Sequence, residues 1–206
     1  MVLALLIAIT IHEFSHALVA NRLGDLTATA MGRLTLNPIK HLDPLGTIML
    51  VVVGFGWGKP VPVDPGRLRV GPRQGMALVS IAGPASNLIL ASALLLLMRG
   101  GILPVPHGTV SLLNSSALLS NLVTTVISLN IILAVFNMIP LPPLDGFKVA
   151  LGVLPREVAY PFSRLEQYGA MVLFLLVMVD NYAGTGVLSR IIDWAQQLVV
   201  TVVMGL

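Results

Sequence analysis

The sequence predicts an all-α, multi-pass membrane protein, and three observations carry that expectation. Its 206 residues are 56% hydrophobic and only 10% charged, with a mean hydropathy of +0.92, values far from those of a soluble globular domain. Apolar runs approaching the roughly 20 residues needed to cross a bilayer recur along the chain. The first of these, Met1 to Ala20, has ionisable side chains only at His12, Glu13 and His16.

Spans are expected at 1–22, 75–98, 117–139, 166–181 and 187–204, within one integral membrane domain covering 1–206. The first run is not a secretory signal, because it has no basic n-region and no Ala-x-Ala site after it. It should end near Asn21-Arg22-Leu23-Gly24, with Arg22 at a water interface and Gly24 as the terminating glycine. Residues 26–36 alternate small or apolar with polar side chains around Gly32, which predicts a short β-hairpin stopped by Asn37-Pro38. The apolar run Leu45–Phe55, closed by Gly54, Gly56 and Gly58, is too short to span and reads as a re-entrant or interfacial segment. Lys59 to Pro65 should be extended, because proline at alternate positions forbids a helix. Arg67, Arg69 and Arg73 form a solvated basic membrane flank.

The span at 75–98 carries Ala82-Gly83-Pro84-Ala85-Ser86-Asn87, small residues that admit a close neighbour, with a kinking proline. Asn87 reads as helix-packing glue rather than a catalyst. Arg99 to Asn114 is a Gly/Pro-rich loop in which His107 is expected to be exposed. The span at 117–139 runs into Asn137-Met138-Ile139-Pro140-Leu141-Pro142-Pro143-Leu144-Asp145-Gly146, where prolines break the helix and free backbone groups. Lys148, Arg156 and Arg164 lie in a polar connector. The last helix carries Arg190, Asp193 and Gln197 on one face and is expected to lie partly in the interface.

The chemistry starts at His12-Glu13-Phe14-Ser15-His16. On a helix the two histidines stand one turn apart on one face, with Cβ atoms roughly 5–6 Å apart, close enough to share one zinc ion. Glu13, beside the metal and not on it, is then the natural general base for a zinc-bound water. Ionisable groups clustered in a bilayer are costly without a partner, and a metal ion supplies one. From Arg22 back to His12, at about 1.5 Å per residue, the motif lies on the order of 15 Å from the interface. With no cysteine in the chain, any further ligand must be His, Asp or Glu. Asp145 alone would read as a loop aspartate capping the next helix. Beside a two-histidine site that lacks a third protein donor, it is the expected third zinc ligand. His41 could also be a ligand, but in its Pro-flanked turn it reads better as a capping or interfacial histidine.

Charge placement orients the chain. Of the 12 Lys and Arg residues, all but Arg99 and Arg190 fall at the end where the first helix finishes. By the positive-inside rule that end, with the hairpin, the basic stretch and the Asp145 segment, faces the cytoplasm, which leaves the N-terminus outside. No Lys/Arg run points to nucleic acid.

These residues resemble the site-2 protease family of intramembrane zinc metalloproteases. His12-Glu13-Phe14-Ser15-His16 is similar to its HExxH helix, and Asn137 to Gly146 is similar to its NxxPxxPLDG segment. Gly32 to Pro38, Gly58 to Val63 and Ala82-Gly83-Pro84 also resemble its prokaryotic members. The resemblance implies a three-helix catalytic core of 1–22, 75–98 and 117–139, zinc on His12, His16 and Asp145, and Glu13 as catalytic base. It further implies that Asn137 positions substrate or steadies the developing oxyanion, and that the site sits in a prokaryotic cell membrane among lipids, cleaving transmembrane proteins or peptides. The chain departs from many relatives in starting directly with the motif helix and in having no room for a PDZ or CBS domain. An extended substrate is expected to add to the 26–36 hairpin as an extra strand. A metal-binding transporter or channel would explain the ligands but leave Glu13 idle. A zinc protease with its site at the membrane surface would call for a downstream Glu on a helix in place of Asp145-Gly146.

Overall fold

The architecture follows from where the apolar helices can approach one another. The computed structural model describes residues 1–53, 56–105, 115–182 and 184–205. Within them the regular elements are helices: α1 (Val2–Arg22), α2 (Thr27–Ala30), α3 (Pro44–Val53), α4 (Pro72–Arg99), α5 (Ser115–Asn137), α6 (Asp145–Val153), α7 (Arg156–Ser163), α8 (Gly169–Tyr182) and α9 (Val187–Met204). Among the described residues, 5 segments are long and apolar enough to cross a membrane: Val2–Arg22, Pro72–Arg99, Ala117–Asn137, Arg156–Asp180 and Val187–Met204.

Helix α1 buries Ala4, Ala8, His12, His16 and Ala20, one residue in every four along a single stripe. Alanines above and below the histidines leave no bulk to hold a neighbour off, and α4 packs there with Gly75, Val79, Gly83, Pro84, Asn87 and Ala91 buried. Helix α5 closes the core beside α4, joining Val123, Ile127 and Ile131 to Ala91, Leu95 and Met98, with Val199, Val200 and Val203 of α9 packed over them. Arg99 at the end of α4 donates to the carbonyl of Val203 at 3.0 Å, fixing the α9 end.

After α5 the chain turns through Met138–Leu144 and restarts as α6 at Asp145. Gly146 makes the reversal possible, since a Cβ there would lie 2.3 Å from the Met138 carbonyl oxygen. Gly152 lets α6 lie flat on α4, where a Cβ would come within 2.3 Å of that of Ala77. Arg73 then donates to the Leu151 and Leu154 carbonyls at the end of α6, satisfying acceptors that a helix C-terminus leaves free.

Two expectations are corrected. Residues 26–36 form no β-hairpin: α2 is one helical turn, and the described residues contain only an isolated bridge between Leu42 and Gly58. The cause is Asp25, whose carboxylate accepts from the Thr27 N–H at 3.0 Å and the Thr27 hydroxyl at 2.5 Å. Such side-chain bonds start a helical turn, and here they outweigh the alternating pattern. The expected hairpin clamp for substrate goes with it. The re-entrant reading of 45–55 is likewise unsupported. Pro44–Val53 is an ordinary helix, started by Asp43, which accepts from the Gly46 N–H at 2.8 Å. Gly54 and Phe55 lie outside the described residues.

The extended stretch after Gly58 is as expected. Buried Arg33 donates to the carbonyls of Lys59 and Pro60, and Lys59 N–H donates to the His41 carbonyl at 2.8 Å. These bonds hold the strand-like run beside α1 and α4, where Pro60, Val61 and Val63 line a cavity with residues of both helices.

Candidate active site

His12 and His16 meet on the buried stripe of α1 with ring centroids 4.6 Å apart and planes at 84°. The reversal after α5 brings Asp145 to them: its Oδ2 lies 3.0 Å from His12 Nε2 and 3.2 Å from His16 Nε2. The candidate ligand atoms of all three residues fall within 4.8 Å of one another. As the first residue of α6, Asp145 has its direction set by the helix start, so the turn that seats Gly146 also aims the carboxylate.

The other face of each ring is engaged. His16 Nδ1 is 2.7 Å from the Val79 carbonyl, which can only accept, so that nitrogen carries the hydrogen. His12 Nδ1 donates to Asn87 Oδ1 at 2.6 Å. Both Nε2 lone pairs are thus turned toward one carboxylate oxygen, an arrangement that repels itself in a buried setting unless a cation lies between. Two imidazoles and a carboxylate with no thiolate are donors suited to zinc, and three protein ligands leave a position open for water or substrate. The residues present therefore fit a zinc ion. Gly83 supplies the remaining wall, α4 approaching so closely that only a hydrogen fits on its Cα.

A cavity of about 240 Å³ opens at this cluster, lined by His12, Glu13, His16, Asn137, Asp145 and Lys148 together with Pro60, Val61 and Val63. Glu13 is half-buried on its wall. Asn137 gives one amide hydrogen to the Leu133 carbonyl at 2.9 Å and keeps the other. A second cavity of about 780 Å³ shares Val63, Met76 and Lys148 with the first and continues toward Arg156 and Tyr160.

All the site residues read from the sequence thus share one cavity: His12, Glu13, His16, Asn137 and Asp145. His41 does not join them. It is fully buried in its turn, with Nε2 donating to the Thr35 carbonyl at 2.8 Å. His107 lies outside the described residues. Asn87, packing glue by its sequence context, touches a candidate ligand, and no spacing marks Arg33, which holds the Lys59–Pro60 backbone at the cavity. The signal for Asn87 was an uncompensated polar group in mid-span, four residues after the glycine that meets the histidines.

Helices of membrane length that close two histidines, an aspartate and a glutamate round one cavity define a membrane-embedded metalloprotease of the HExxH type. Residues 99–179 match the description of peptidase family M50. The chain is 45% identical over 179 residues to YwhC of Bacillus subtilis, covering 85% of this chain and 78% of YwhC. It is 32% identical over 176 residues to Rip2 of Mycolicibacterium smegmatis, covering 84% of this chain and 64% of that protein. To Rip2 of Mycobacterium tuberculosis it is 31% identical over 185 residues, covering 87% and 66%. All three are described as candidate zinc metalloproteases. The chain belongs to peptidase family M50, the site-2 proteases. It spans slightly less than two thirds of the mycobacterial relatives' length. No solved structure matches it.

Proposed function

We propose that this chain is an intramembrane zinc endopeptidase that hydrolyses peptide bonds of transmembrane proteins or peptides. The observation that carries the reading is the convergence of His12, His16 and Asp145 on a cavity whose wall also holds Glu13. His12 Nε2, His16 Nε2 and an Asp145 oxygen would hold the metal. When bound there, zinc supplies Lewis acidity toward water and the scissile carbonyl. Glu13 takes a proton from the attacking water and delivers it to the amine that leaves as the C–N bond breaks. Asn137 offers its remaining amide hydrogen to a substrate carbonyl.

A transmembrane helix hides its peptide bonds in its own hydrogen bonds and must unwind before attack, which leaves backbone groups needing partners. The run Lys59–Val63 offers them. Val61 and Val63 line the cavity, and their N–H and C=O groups have no partner among the described residues. Pro60 and Pro62, on either side of Val61, have no N–H to satisfy. An unwound substrate laid along this run could pair with Val61 and Val63 as β-augmentation does. The basic stretch Arg67–Arg73 supports a cytoplasmic opening, and the bacterial sources of the relatives support a prokaryotic cell membrane.

The test is Glu13→Gln in the full chain, reconstituted with a membrane-spanning peptide. The variant should retain zinc and lose cleavage, because the ligands are untouched and the proton acceptor is gone. Unimpaired proteolysis would refute the mechanism, and zinc binding with no proteolysis by the unsubstituted chain would favour the transporter reading.

A further inference from the structure

Two asparagines that the reaction above does not use form a hydrogen-bonded chain across three helices, ending on His12. Asn87 of α4 and Asn130 of α5 have no solvent exposure. Asn87 Nδ2 donates to the Ala8 carbonyl at 3.0 Å and to Asn130 Oδ1 at 2.7 Å. Asn130 Nδ2 donates to the Val126 carbonyl at 2.8 Å. The carbonyls of Ala8 and Val126 can only accept, so neither amide can be turned over. Reversing Asn130 would set oxygen against the Val126 carbonyl and an amino group against the Asn87 amino group. Reversing Asn87 would set oxygen against both Ala8 and Asn130. In a buried setting each mismatch leaves polar groups unpaired.

With both Asn87 hydrogens committed, its Oδ1 is what faces His12 Nδ1 at 2.6 Å. An oxygen there accepts, so His12 must carry its hydrogen on Nδ1 and present a bare Nε2 to Asp145. His16 reaches the same state differently, through the backbone carbonyl of Val79, which no side-chain substitution removes. The tautomer of His12 alone is set by side chains.

We propose that Asn130 and Asn87 are positioning residues that fix which nitrogen of His12 binds the metal. Asn130 acts at one remove, by dictating which way the Asn87 amide faces. This deepens the zinc reading above and rests on His12 being a ligand. Because the ligand geometry depends on a residue of α5, all three long helices must be docked before His12 is correctly presented. Outer partners of ligating histidines change metal affinity by roughly 10- to 100-fold when lost, and Asn130 should do so without touching the metal or the histidine.

The experiment uses the full chain in micelles with ¹⁵N-labelled histidine, comparing it with Asn130→Leu and Asn130→Asp. Leu copies the branching of Asn with bulkier methyl groups and suits an apolar core but cannot hold the Asn87 amide, whereas a neutral Asp keeps an oxygen facing it and a hydroxyl facing the Val126 carbonyl. In the metal-free unsubstituted chain, His12 should carry a hydrogen on Nδ1 in every molecule, with or without a second proton on Nε2 facing Asp145. Asn130→Leu should show a mixture of molecules with and without that hydrogen, and its zinc affinity by chelator competition should fall about 10- to 100-fold. Asn130→Asp should retain that hydrogen throughout and bind zinc within a few-fold of the unsubstituted chain. A packing role predicts the reverse order, with Leu tolerated and buried Asp harmful. Full Nδ1 protonation with unchanged zinc affinity in Asn130→Leu overturns the proposal, as does equal loss in both variants. If Asn130→Leu does not fold, Asn130→Asp decides: retained Nδ1 protonation supports the proposal and its loss refutes it. Failure of the unsubstituted chain to bind zinc would instead refute the zinc reading, while the metal-free Nδ1 protonation would still decide whether Asn130 orients His12.

Discussion

Gly83 and His16 are in such close contact that a methyl group on Gly83 would stand 2.5 Å from the ring Nε2, and 2.7 Å from Nε2 of His12. The atoms it would strike are the metal-facing ones. Gly83 lies inside α4 with ordinary helical geometry, so alanine there should raise intrinsic helix stability by about 1 kcal/mol. Gly83→Ala is therefore expected to keep its helix content and lose most of its zinc and activity, because the rings must swing away from Asp145. Metal analysis on the purified variant checks this. Full zinc occupancy would mean that α4 does not form the wall described.

Asp145→Ala should lower both zinc content and cleavage, since it removes the charged donor nearest both imidazoles. Two other carboxylates, Asp43 and Asp64, are both engaged elsewhere. Asp43 caps α3 through the Gly46 N–H, and Asp64 accepts from the Gly66 N–H at 3.0 Å and pairs with Arg67 at 3.1 Å. Zinc stoichiometry beside a turnover assay is the measurement, and unchanged values for both would remove Asp145 from the site.

Val61→Pro removes one backbone donor from the cavity's outer wall at a position whose neighbours are already prolines, so the extended backbone should tolerate it. Loss of one hydrogen bond of about 0.5–1.5 kcal/mol corresponds to a fall of roughly 2- to 12-fold in kcat/KM. Zinc content should not change. A variant that cleaves a membrane peptide at the normal rate would argue that substrate does not pair with this run.

Asp25 makes stability depend on pH. Burial alone would raise its pKa, but hydrogen bonds from the Thr27 hydroxyl and from the Asp64 and Thr27 N–H groups, with Arg67 nearby, hold it below the ordinary value of 3.8. A carboxylate with a depressed folded pKa adds stability above its unfolded pKa and loses it as pH falls toward the folded one. Asp25→Asn turns an amide hydrogen toward either the Thr27 or the Asp64 N–H, donor against donor, at a cost on the order of 1 kcal/mol. The Tm gap between the unsubstituted chain and Asp25→Asn should be largest near neutral pH and shrink below the ordinary carboxylate range. A gap that does not change with pH would show that Asp25 is not ionised in the folded chain.

The spans were legible because apolar length needs no tertiary information, and the clustering of the candidate ligands because HExxH spacing and a proline-broken segment ending in Asp-Gly each constrain direction. The failures share a cause. At 26–36 the alternating pattern was real, but a single carboxylate at Asp25, bonded to Thr27 and across the loop to Asp64 at 2.7 Å, decided the local backbone. That second contact lies far off in sequence and leaves no periodic trace. Asn87 and Asn130 were invisible as a pair for the same reason, since what each does depends on which residue of another helix it faces.

The separation between His12 and Asp145 sets a timetable for synthesis. Their 133-residue spacing means that a ribosome adding roughly 5–20 residues per second takes about 7 to 27 seconds to go from one to the other. Through that interval the two histidines lie in the growing chain with no carboxylate partner from α6. The nascent chain lacks the third of its proposed metal ligands until α1, α4 and α5 have been made. On the proposed ligand set, competence begins only once α6 is made, and a ribosome stalled before it leaves the two histidines without their carboxylate.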